Sequence, residues 1–336
     1  MLVINLSISI KSFELKEVLR IGSDKLNYEF FLITAVDVDE KLNIYLVDSK
    51  GCFVRKYTKD GNFVGEVGRK GNGPGEFLYP RKIFVKGNSV FIGDFTGRKI
   101  VTFNDTLKVL KKEIKLYKPP YDFFVYKNKI YFSTISKNSD NIFFVFNMEG
   151  KKIKEFFNIQ PYFLKNRKKD PFYIAYKIQY AIPTTSFNIK KHEIALSFNQ
   201  YSKNYKLYII DFSGKIKKTI NLTLEKGFDI PSFYFQFPVK YPKRYTLIGT
   251  DSIHYYKDRY IFLHYEISKV KRINNKERTK DSSYIVIVDI NKGKIIDKKK
   301  IPSGLRIFKI KGDYLYAKNF DDDIEKLHVY KIEGIE

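Results

Sequence analysis

Short apolar runs that alternate with polar residues recur along the whole chain, and turn signals such as KDG, KGN and FSG separate them. Alternation with a period of two is typical of strands, whereas the longer period of an amphipathic helix is hard to find anywhere. The pattern therefore predicts an all-β fold built from many short strands.

One of these turns repeats six times. An apolar strand is followed by a few polar residues, often ending in glycine, and then by a strand rich in Lys and Ile. The six copies read VRKYTKDGNFVGEV, IVTFNDTLKVLKKEI, FFVFNMEGKKIKEFF, LYIIDFSGKIKKTI, IVIVDINKGKIIDKKKI and LHVYKIEGIE. Two further strands precede each copy, so the unit is a four-stranded antiparallel sheet. Six such units bury their faces only against one another, as the blades of a propeller do.

The last copy ends soon after its third strand, and the N-terminus offers the missing fourth one. The segment SFELKEVLRIG, with its strand at about residues 13–21, resembles the other fourth strands. We expect it to complete the last blade and close the ring, which removes the open edges that a linear array would leave. The sequence thus predicts one domain over residues 1–336, a six-bladed β-propeller of four-stranded antiparallel blades closed by the N-terminal strand.

A glycine-rich segment, GRKGNGPGEFLYP at residues 68–80, follows the fourth strand of the first blade. Its glycines permit backbone conformations that other residues avoid and its prolines restrict φ, so it predicts a tight joint between two blades. The joint and the blade after it resemble the NHL-type repeat, and most closely the bacterial 6-bladed beta-propeller families described mainly from Bacteroidetes. The residues that carry the resemblance are Gly68, Gly71, Gly73, Pro74, Gly75, Glu76, Phe77, Pro80, Asp94, Arg98 and Ile100.

This resemblance implies a scaffold whose relatives include protein-binding, RNA-binding and lyase propellers, and a fold alone does not determine which. It also favours an exported protein, periplasmic or at the cell surface. The first ten residues, MLVINLSISI, lack the basic region and the small-residue cleavage site of a secretory signal. We interpret them as a strand, with the remnant of a signal as the alternative. No apolar run approaches the ~20 residues of a membrane-spanning helix.

The spacing between the repeated turns indicates where the chain carries extra residues. The gaps between the marker residues Gly61, Thr106, Gly150, Gly214, Gly293 and Gly334 are 45, 44, 64, 79 and 41 residues. Insertions are therefore predicted at residues 158–177, 222–249 and 266–281. The first two lie at blade-to-blade joints and the third between the second and third strands of the fifth blade. Both kinds of connection emerge on the same face of the disc, and insertions gathered on one face often mark a binding face.

The composition of these insertions points to an anionic partner. Lys and Arg outnumber Asp and Glu by 62 to 37, a net charge of +25, although AT-rich coding would give a similar bias without a functional cause. Cations beside aromatic rings suit a nucleic acid or an acidic glycan, and an acidic protein surface is a further possible partner. Aromatic residues that only pack the insertions onto the scaffold, and lysines in a solvated loop, are the alternatives. The predicted ligand-binding residues are Lys165, Arg167, Lys168, Lys169, Tyr173, Lys243, Arg244, Lys269, Lys271, Arg272, Lys276 and Arg278.

Enzymatic interpretations have less support. The four histidines are His192, His254, His264 and His328, with no H-x-H or H-x-x-x-H spacing. A two-residue hairpin turn after Tyr256 would put His254 and His264 on opposite faces, where they could not share a metal ion. No G-x-S-x-G nucleophile motif is present. We therefore predict a non-enzymatic binding scaffold with no catalytic residue, metal ligand or cofactor. A metal-dependent lyase or hydrolase with a site in the central channel is the alternative.

Carboxylates at the ends of second strands have a structural interpretation. Asp48 and Asp94 follow such strands directly, and we expect them to accept hydrogen bonds from turn N–H groups. The acidic triplet at residues 321–323 occupies the equivalent turn of the last blade. We expect it to be solvated or to balance nearby positive charge, with a cation site as the alternative.

Overall fold

A computed structural model describes residues 12–22, 29–134, 139–159, 183–198, 204–224, 244–273 and 276–335. Within them, twenty-four strands form six antiparallel sheets of four strands each. The prediction of an all-β, six-bladed propeller is confirmed. The described residues contain no helix that is long and apolar enough to cross a membrane.

Each blade takes four strands that follow one another from the central channel to the rim. The blade 1 strands are β2 (Ile33–Val38), β3 (Ile44–Asp48), β4 (Phe53–Tyr57) and β5 (Phe63–Val67). Blade 2 has β6 (Pro80–Lys86), β7 (Ser89–Asp94), β8 (Lys99–Asn104) and β9 (Leu110–Lys115). Blade 3 has β10 (Asp122–Tyr126), β11 (Lys129–Ser133), β12 (Asn141–Asn147) and β13 (Lys152–Asn158).

Blades 4 to 6 repeat this arrangement, and the last one uses the N-terminal strand at its rim. Blade 4 has β14 (Pro183–Asn188), β15 (Glu193–Phe198), β16 (Asn204–Asp211) and β17 (Ile216–Thr223). Blade 5 has β18 (Arg244–Tyr256), β19 (Tyr260–Ile273), β20 (Lys276–Asp289) and β21 (Lys294–Ile301). Blade 6 has β22 (Leu305–Lys311), β23 (Tyr314–Asn319), β24 (Leu327–Glu333) and β1 (Glu14–Ile21).

The hydrophobic core is divided among the spaces between blades. Six clusters of buried apolar residues each join two neighbouring blades, and together they run around the whole ring. A blade is therefore covered on both faces, which explains why a strand such as β3 is buried at all five positions. Since such strands need apolar residues facing both ways, they read as continuous apolar runs instead of a strict alternation.

The joint between blades 1 and 2 is the glycine-rich segment. Gly68 has φ +98°, and a Cβ atom there would lie 2.5 Å from the ring of Phe77, which is fully buried. Glu76 accepts hydrogen bonds from the N–H of Gly73 and from Nε of Arg69, both at 2.7 Å. These two bonds lower the pKa of Glu76. The conformational requirement predicted for this joint is met at Gly68, and Glu76 holds the turn together.

The buried carboxylates at the ends of second strands act as predicted. Asp94 is fully buried and accepts hydrogen bonds from the backbone N–H groups of Leu78, Tyr79 and Gly97 at 2.8 to 3.0 Å. Asp48 accepts hydrogen bonds from the backbone N–H groups of Phe31 and Leu32, which precede blade 1, and of Gly51 in the turn after β3. Each carboxylate ties an incoming blade joint to the turn after the second strand.

The N-terminal strand closes the ring as expected, because β1 pairs antiparallel with β24 from Glu14 opposite Glu333 to Ile21 opposite Leu327. His328 of β24 is 4% exposed. Its Nδ1 lies 2.8 Å from a carboxylate oxygen of Glu17 on β1, and its Nε2 lies 2.6 Å from Asp322. Asp322 belongs to the acidic triplet, so this carboxylate contributes to ring closure.

Candidate functional site

Blade 5 extends well beyond the others at one end. Its strands β18, β19 and β20 have 13, 14 and 14 residues, whereas β2 and β3 of blade 1 have six and five. The additional seven to nine residues per strand add roughly 25 Å at about 3.3 Å per residue. Residues 244–249, which the spacing assigned to the second insertion, lie in β18 and pair with residues 266–271 of the third. Parts of two predicted insertions therefore form one three-stranded sheet, which we call the blade 5 extension.

Strand register distributes the charges of this extension unequally between its two faces. Lys271 lies opposite Arg244 on one side and Arg278 on the other, and Lys269 lies opposite Lys280. Residues directly opposite each other, and residues two apart along a strand, share a face. One face, called here the cationic face, therefore carries six cations and no carboxylate, namely Arg244, Lys269, Lys271, Lys276, Arg278 and Lys280.

The opposite face of the extension is mainly acidic. Arg272, one of the predicted ligand-binding residues, falls there, opposite Glu277. Glu266 and Asp281 occupy further positions of the same face. The opposite face thus has three carboxylates for one cation. The sequence identifies these cations, Lys280 included, but only the register separates Arg272 from the rest.

The cationic face continues the surface that blade 5 turns towards blade 4. Tyr265 and Ile267, which precede Lys269 at intervals of two residues, are buried in the core cluster between blades 4 and 5.

The joints on either side of blade 4 begin at the same end of the disc as the blade 5 extension. In an up-and-down blade, the joints between blades and the turns after second strands lie at one end of the disc. We call this end of the disc the insertion face. The predicted residues Lys165, Arg167, Lys168, Lys169, Tyr173 and Lys243 belong to these joints and lie outside the described residues.

The central channel is lined by the first strands of the blades, and several of its charged side chains are paired. Nζ of Lys309 lies 2.6 Å from Asp37, which is buried. Nζ of Lys82 lies 3.3 Å from Asp122, and the hydroxyl of Thr185 donates to the same carboxylate at 2.6 Å. These pairs bridge neighbouring blades.

The hairpin of blade 5 corrects the prediction about the two histidines. Tyr256 pairs with Tyr260, which leaves three residues in the turn instead of two. His254 consequently lies opposite Phe262, and His264 follows two residues later on the same face. The expectation that His254 and His264 point to opposite faces was wrong, since one extra turn residue reverses the side of every following position.

The surroundings of these histidines are unusual. Burial, reinforced by the positive charges of Lys309 and Lys82, lowers the pKa of His254 to about 3. Nδ1 of His264 lies 3.1 Å from Asp251, a residue left out of the ladder by a bulge in β18. Burial opposes ionisation of Asp251, but the hydrogen bond and positive charge of His264 hold its pKa below the ordinary value. The described residues contain no group of three or more His, Cys, Asp or Glu side chains that could hold a metal ion.

Solved structures of low sequence identity share this fold. A member of the DUF4221 family from Bacteroides vulgatus aligns with a TM-score of 0.62 and 12% identity over 96% of this chain and 98% of that one. A putative exported protein from Bacteroides fragilis aligns with a TM-score of 0.58 and 17% identity over 97% and 96%. A catalytically inactive virginiamycin B lyase from Staphylococcus aureus, solved with quinupristin, gives 0.51 and 14% over 95% and 99%. At these identities the likeness shows the fold alone.

No curated protein matches the chain. The profile of the family DUF5128, described as a 6-bladed beta-propeller, matches residues 32–235. This region spans more than half of the chain, from the first strand of blade 1 into the joint between blades 4 and 5. The sequence match and the six observed blades agree, and the chain therefore belongs to this 6-bladed beta-propeller family.

Proposed function

We propose that this protein is a non-enzymatic binding scaffold of the NHL type whose insertion face binds an acidic polysaccharide, with the cationic face as the principal contact. The observation that carries the proposal is the segregation of charge across the blade 5 extension. Six cations share one face without a carboxylate, while three carboxylates share the other. If the excess of Lys and Arg came only from coding composition, cations would be distributed over both faces of the extension.

The dimensions of the cationic face favour a polymer over a small anion. Its cations lie in successive rows two residues apart, so the rows are about 6.6 Å apart and the outermost positions about 13 Å apart. Neighbouring strands add a spacing of about 4.8 Å across each row. A flat array with repeated spacing can contact several charges of a repeating chain at once, whereas a small anion would contact only one or two of the cations.

The residue types of this face favour an acidic glycan over a single-stranded nucleic acid. Binding of single strands relies on aromatic side chains on which bases stack. Within the extension, the positions that share the cationic face with the cations are Thr246, Ile248, Ile267, Ile273 and Ser282, and Tyr245 falls on the opposite face. Tyr265 and Tyr284 come next along the same face, but their rings stack on each other with centroids 5.5 Å apart and Tyr265 is fully buried in the core. One structural relative is named as a putative exported protein, and an exported protein would meet acidic glycans.

The proposal is tested with fluorescently labelled heparin, polygalacturonate, single-stranded RNA and single-stranded DNA, each titrated over a series of salt concentrations. The test variant replaces Lys269, Lys271, Arg278 and Lys280 by Ser. The matched control replaces Lys59, Lys108, Lys292 and Lys294, four exposed cations at turns on the other end of the disc. Both variants lose the same net charge, so they separate a specific face from the overall field of the protein.

We expect the protein to bind a glycan with an affinity that falls steeply with salt, and the test variant to bind it roughly tenfold more weakly or worse. The control should retain most of the affinity. Equal losses in both variants would contradict a localised site, and selective binding of RNA or DNA would replace the proposed ligand class. Failure to bind any of the four polymers would overturn the proposed function.

A further inference from the structure

His254 lies at the boundary between blades 5 and 6, on the face of β18 that blade 6 covers. Tyr256, two residues further along this face, and Phe262, directly opposite His254, belong to the core cluster between these two blades. The ring of His254 donates a hydrogen bond to the backbone carbonyl of Ile307 on β22. Ile307 is buried and belongs to the same cluster. His254 therefore joins the first strands of two neighbouring blades.

The second ring nitrogen of His254 is buried and has no hydrogen-bond partner among the described residues. This nitrogen is Nε2, so Nδ1 makes the bond to Ile307. In the neutral ring, Nδ1 carries the proton and Nε2 holds the lone pair. A second proton would have to bind at Nε2, where the described part of the chain offers it no acceptor. A buried polar group without a partner is costly, and a charged one is more costly still.

The lysines nearest to this ring also oppose a second proton. Burial has the largest effect, and the charges of Lys309 on β22 and Lys82 on β6 add to it. Together they lower the pKa of His254 to about 3. Both lysines are themselves paired with carboxylates, Lys309 with Asp37 and Lys82 with Asp122. His254 is therefore held neutral at the boundary by its position among buried and positively charged groups.

The carboxylate that acts in the other direction is already engaged. Asp251, on the same strand, favours a charged His254, but it lies 3.1 Å from Nδ1 of His264 and also feels the positive charge of Arg306. On the blade 4 side, β14 has no charged residue, and the carboxylate of Glu193 acts on the opposite face of β18. Of the two buried histidines, only His264 has a carboxylate that can balance a proton.

We propose that the boundary between blades 5 and 6 is a pH-sensitive switch, in which protonation of His254 separates β18 from β22 and opens the ring locally in acid. In the closed state the imidazole stays neutral, because a proton on Nε2 would be buried without an acceptor. Once the strands separate, water solvates the imidazolium and the ordinary His pKa of about 6.5 applies. The switch needs no property of the proposed polysaccharide ligand.

The direction of the effect follows from proton linkage. Above about pH 6.5 the ring is neutral in both states, and their balance does not depend on this group. Below that pH the open state binds one proton more than the closed state, until the closed state also takes up the proton at about pH 3. Each pH unit within this window should raise the equilibrium constant for opening about tenfold.

The first test is native-state hydrogen exchange of the full-length protein, with protection factors measured between about pH 7 and pH 4.5. We expect amides of β18 and β22 to lose about 100-fold in protection at the acid end. His254→Asn keeps a side-chain donor for Ile307 but cannot titrate, so its protection should not show this pH dependence. His192→Asn, the same change at an exposed histidine on the other end of the disc, is the matched control and should behave as the wild type does.

Two further readouts separate this switch from general acid unfolding. Amides of β7 and β11, in blades 2 and 3, should lose much less protection than those of β18 and β22. Nitrogen-15 spectra of histidine-labelled wild-type protein do not depend on whether a variant folds, and they should show a neutral His254 ring with its proton on Nδ1 in the closed state at about pH 5.

Three outcomes would overturn the proposal. The first is a His254 ring that becomes charged near its ordinary pKa while β18 and β22 keep their protection. The second is an acid-dependent loss of protection that persists unchanged in His254→Asn. The third is an equal loss in all blades, which would show global unfolding instead of opening at one boundary.

Discussion

Glu17 of the N-terminal strand accepts a hydrogen bond from Nδ1 of His328 at 2.8 Å, although the two residues are 311 positions apart in the chain. The other ring nitrogen lies 2.6 Å from Asp322. Glu17 also receives two hydrogen bonds from Arg20, each at 2.9 Å. This contact holds the first strand of the chain against the last, so it links closure of the ring to specific side chains as well as to backbone pairing.

Removal of the Glu17 carboxylate should weaken ring closure. Glu17→Ala leaves the buried Nδ1 of His328 without its partner, and an unsatisfied buried group costs about 1–3 kcal/mol. We expect a loss of that size in the free energy of unfolding measured by urea denaturation. Glu14→Ala, on the same strand but exposed and opposite Glu333, should cause no comparable loss. Equal effects of the two substitutions would show that the hydrogen bond is not important for closure.

The same carboxylate should make stability depend on acid pH. The hydrogen bond from Arg20, followed by the hydrogen bond and charge of His328, lowers the pKa of Glu17 below its ordinary value of 4.5. A group whose pKa is depressed in the folded protein contributes stability above its unfolded pKa, and this contribution is lost as the pH falls through the folded value.

The expected result is that wild-type protein loses more stability than Glu17→Gln when the pH is lowered from about 6 to below the ordinary pKa of Glu. Urea denaturation at several pH values checks this. The difference between the two proteins should remain constant at neutral pH. A difference that stays constant through the acid range as well would contradict the role assigned to Glu17.

The joint between blades 1 and 2 should not tolerate a side chain at Gly68. Its φ of +98° is unfavourable for other residues, and a Cβ would lie 2.5 Å from the ring of Phe77 and 2.9 Å from the carbonyl oxygen of Cys52. We expect Gly68→Ala to cost about 2–5 kcal/mol.

The control for this prediction is Gly87→Ala. Gly87 also has positive φ, +53°, but no atom lies within 4 Å of a Cβ placed there, so only the backbone cost of about 1–2 kcal/mol should remain. Thermal or urea unfolding of both variants compares the two contributions. Similar losses would mean that the space around Phe77 adapts to the added methyl group.

Asp94 should be the most sensitive carboxylate of blade 2. Asp94→Ala leaves three backbone N–H groups without their acceptor in a buried turn, and we expect a loss of about 2–5 kcal/mol. Asp94→Asn keeps one oxygen acceptor and should lose less. The exposed Asp60 provides the control, because Asp60→Ala should change the free energy of unfolding by less than about 0.5 kcal/mol. A small effect of Asp94→Ala would indicate that water replaces the carboxylate in this turn.

Much of the fold could be predicted because its signals are local and repeated. The turn repeat required six equivalent units, the SFELKEVLRIG segment matched the missing fourth strand, and the GRKGNGPGEF joint needed glycine for a backbone reason visible in the sequence. The acceptor role of Asp48 and Asp94 followed from their position after a strand. The partnership of Glu17, His328 and Asp322 could not be predicted in this way, since it joins side chains that only ring closure brings together.

For the candidate sites, the sequence by itself determined which residue types are available, and the tertiary structure decided which of them share a face. The cations of residues 266–281 are evident from composition, but their separation from Glu277 and Asp281 depends on the pairing of β19 with β20. His254 and His264 were assigned to opposite faces because a two-residue hairpin turn was expected, and the observed turn is one residue longer. The physical reason is the same in both cases: side chains of a strand alternate with a period of two, so a change of one residue in a turn or bulge moves every later side chain to the other face.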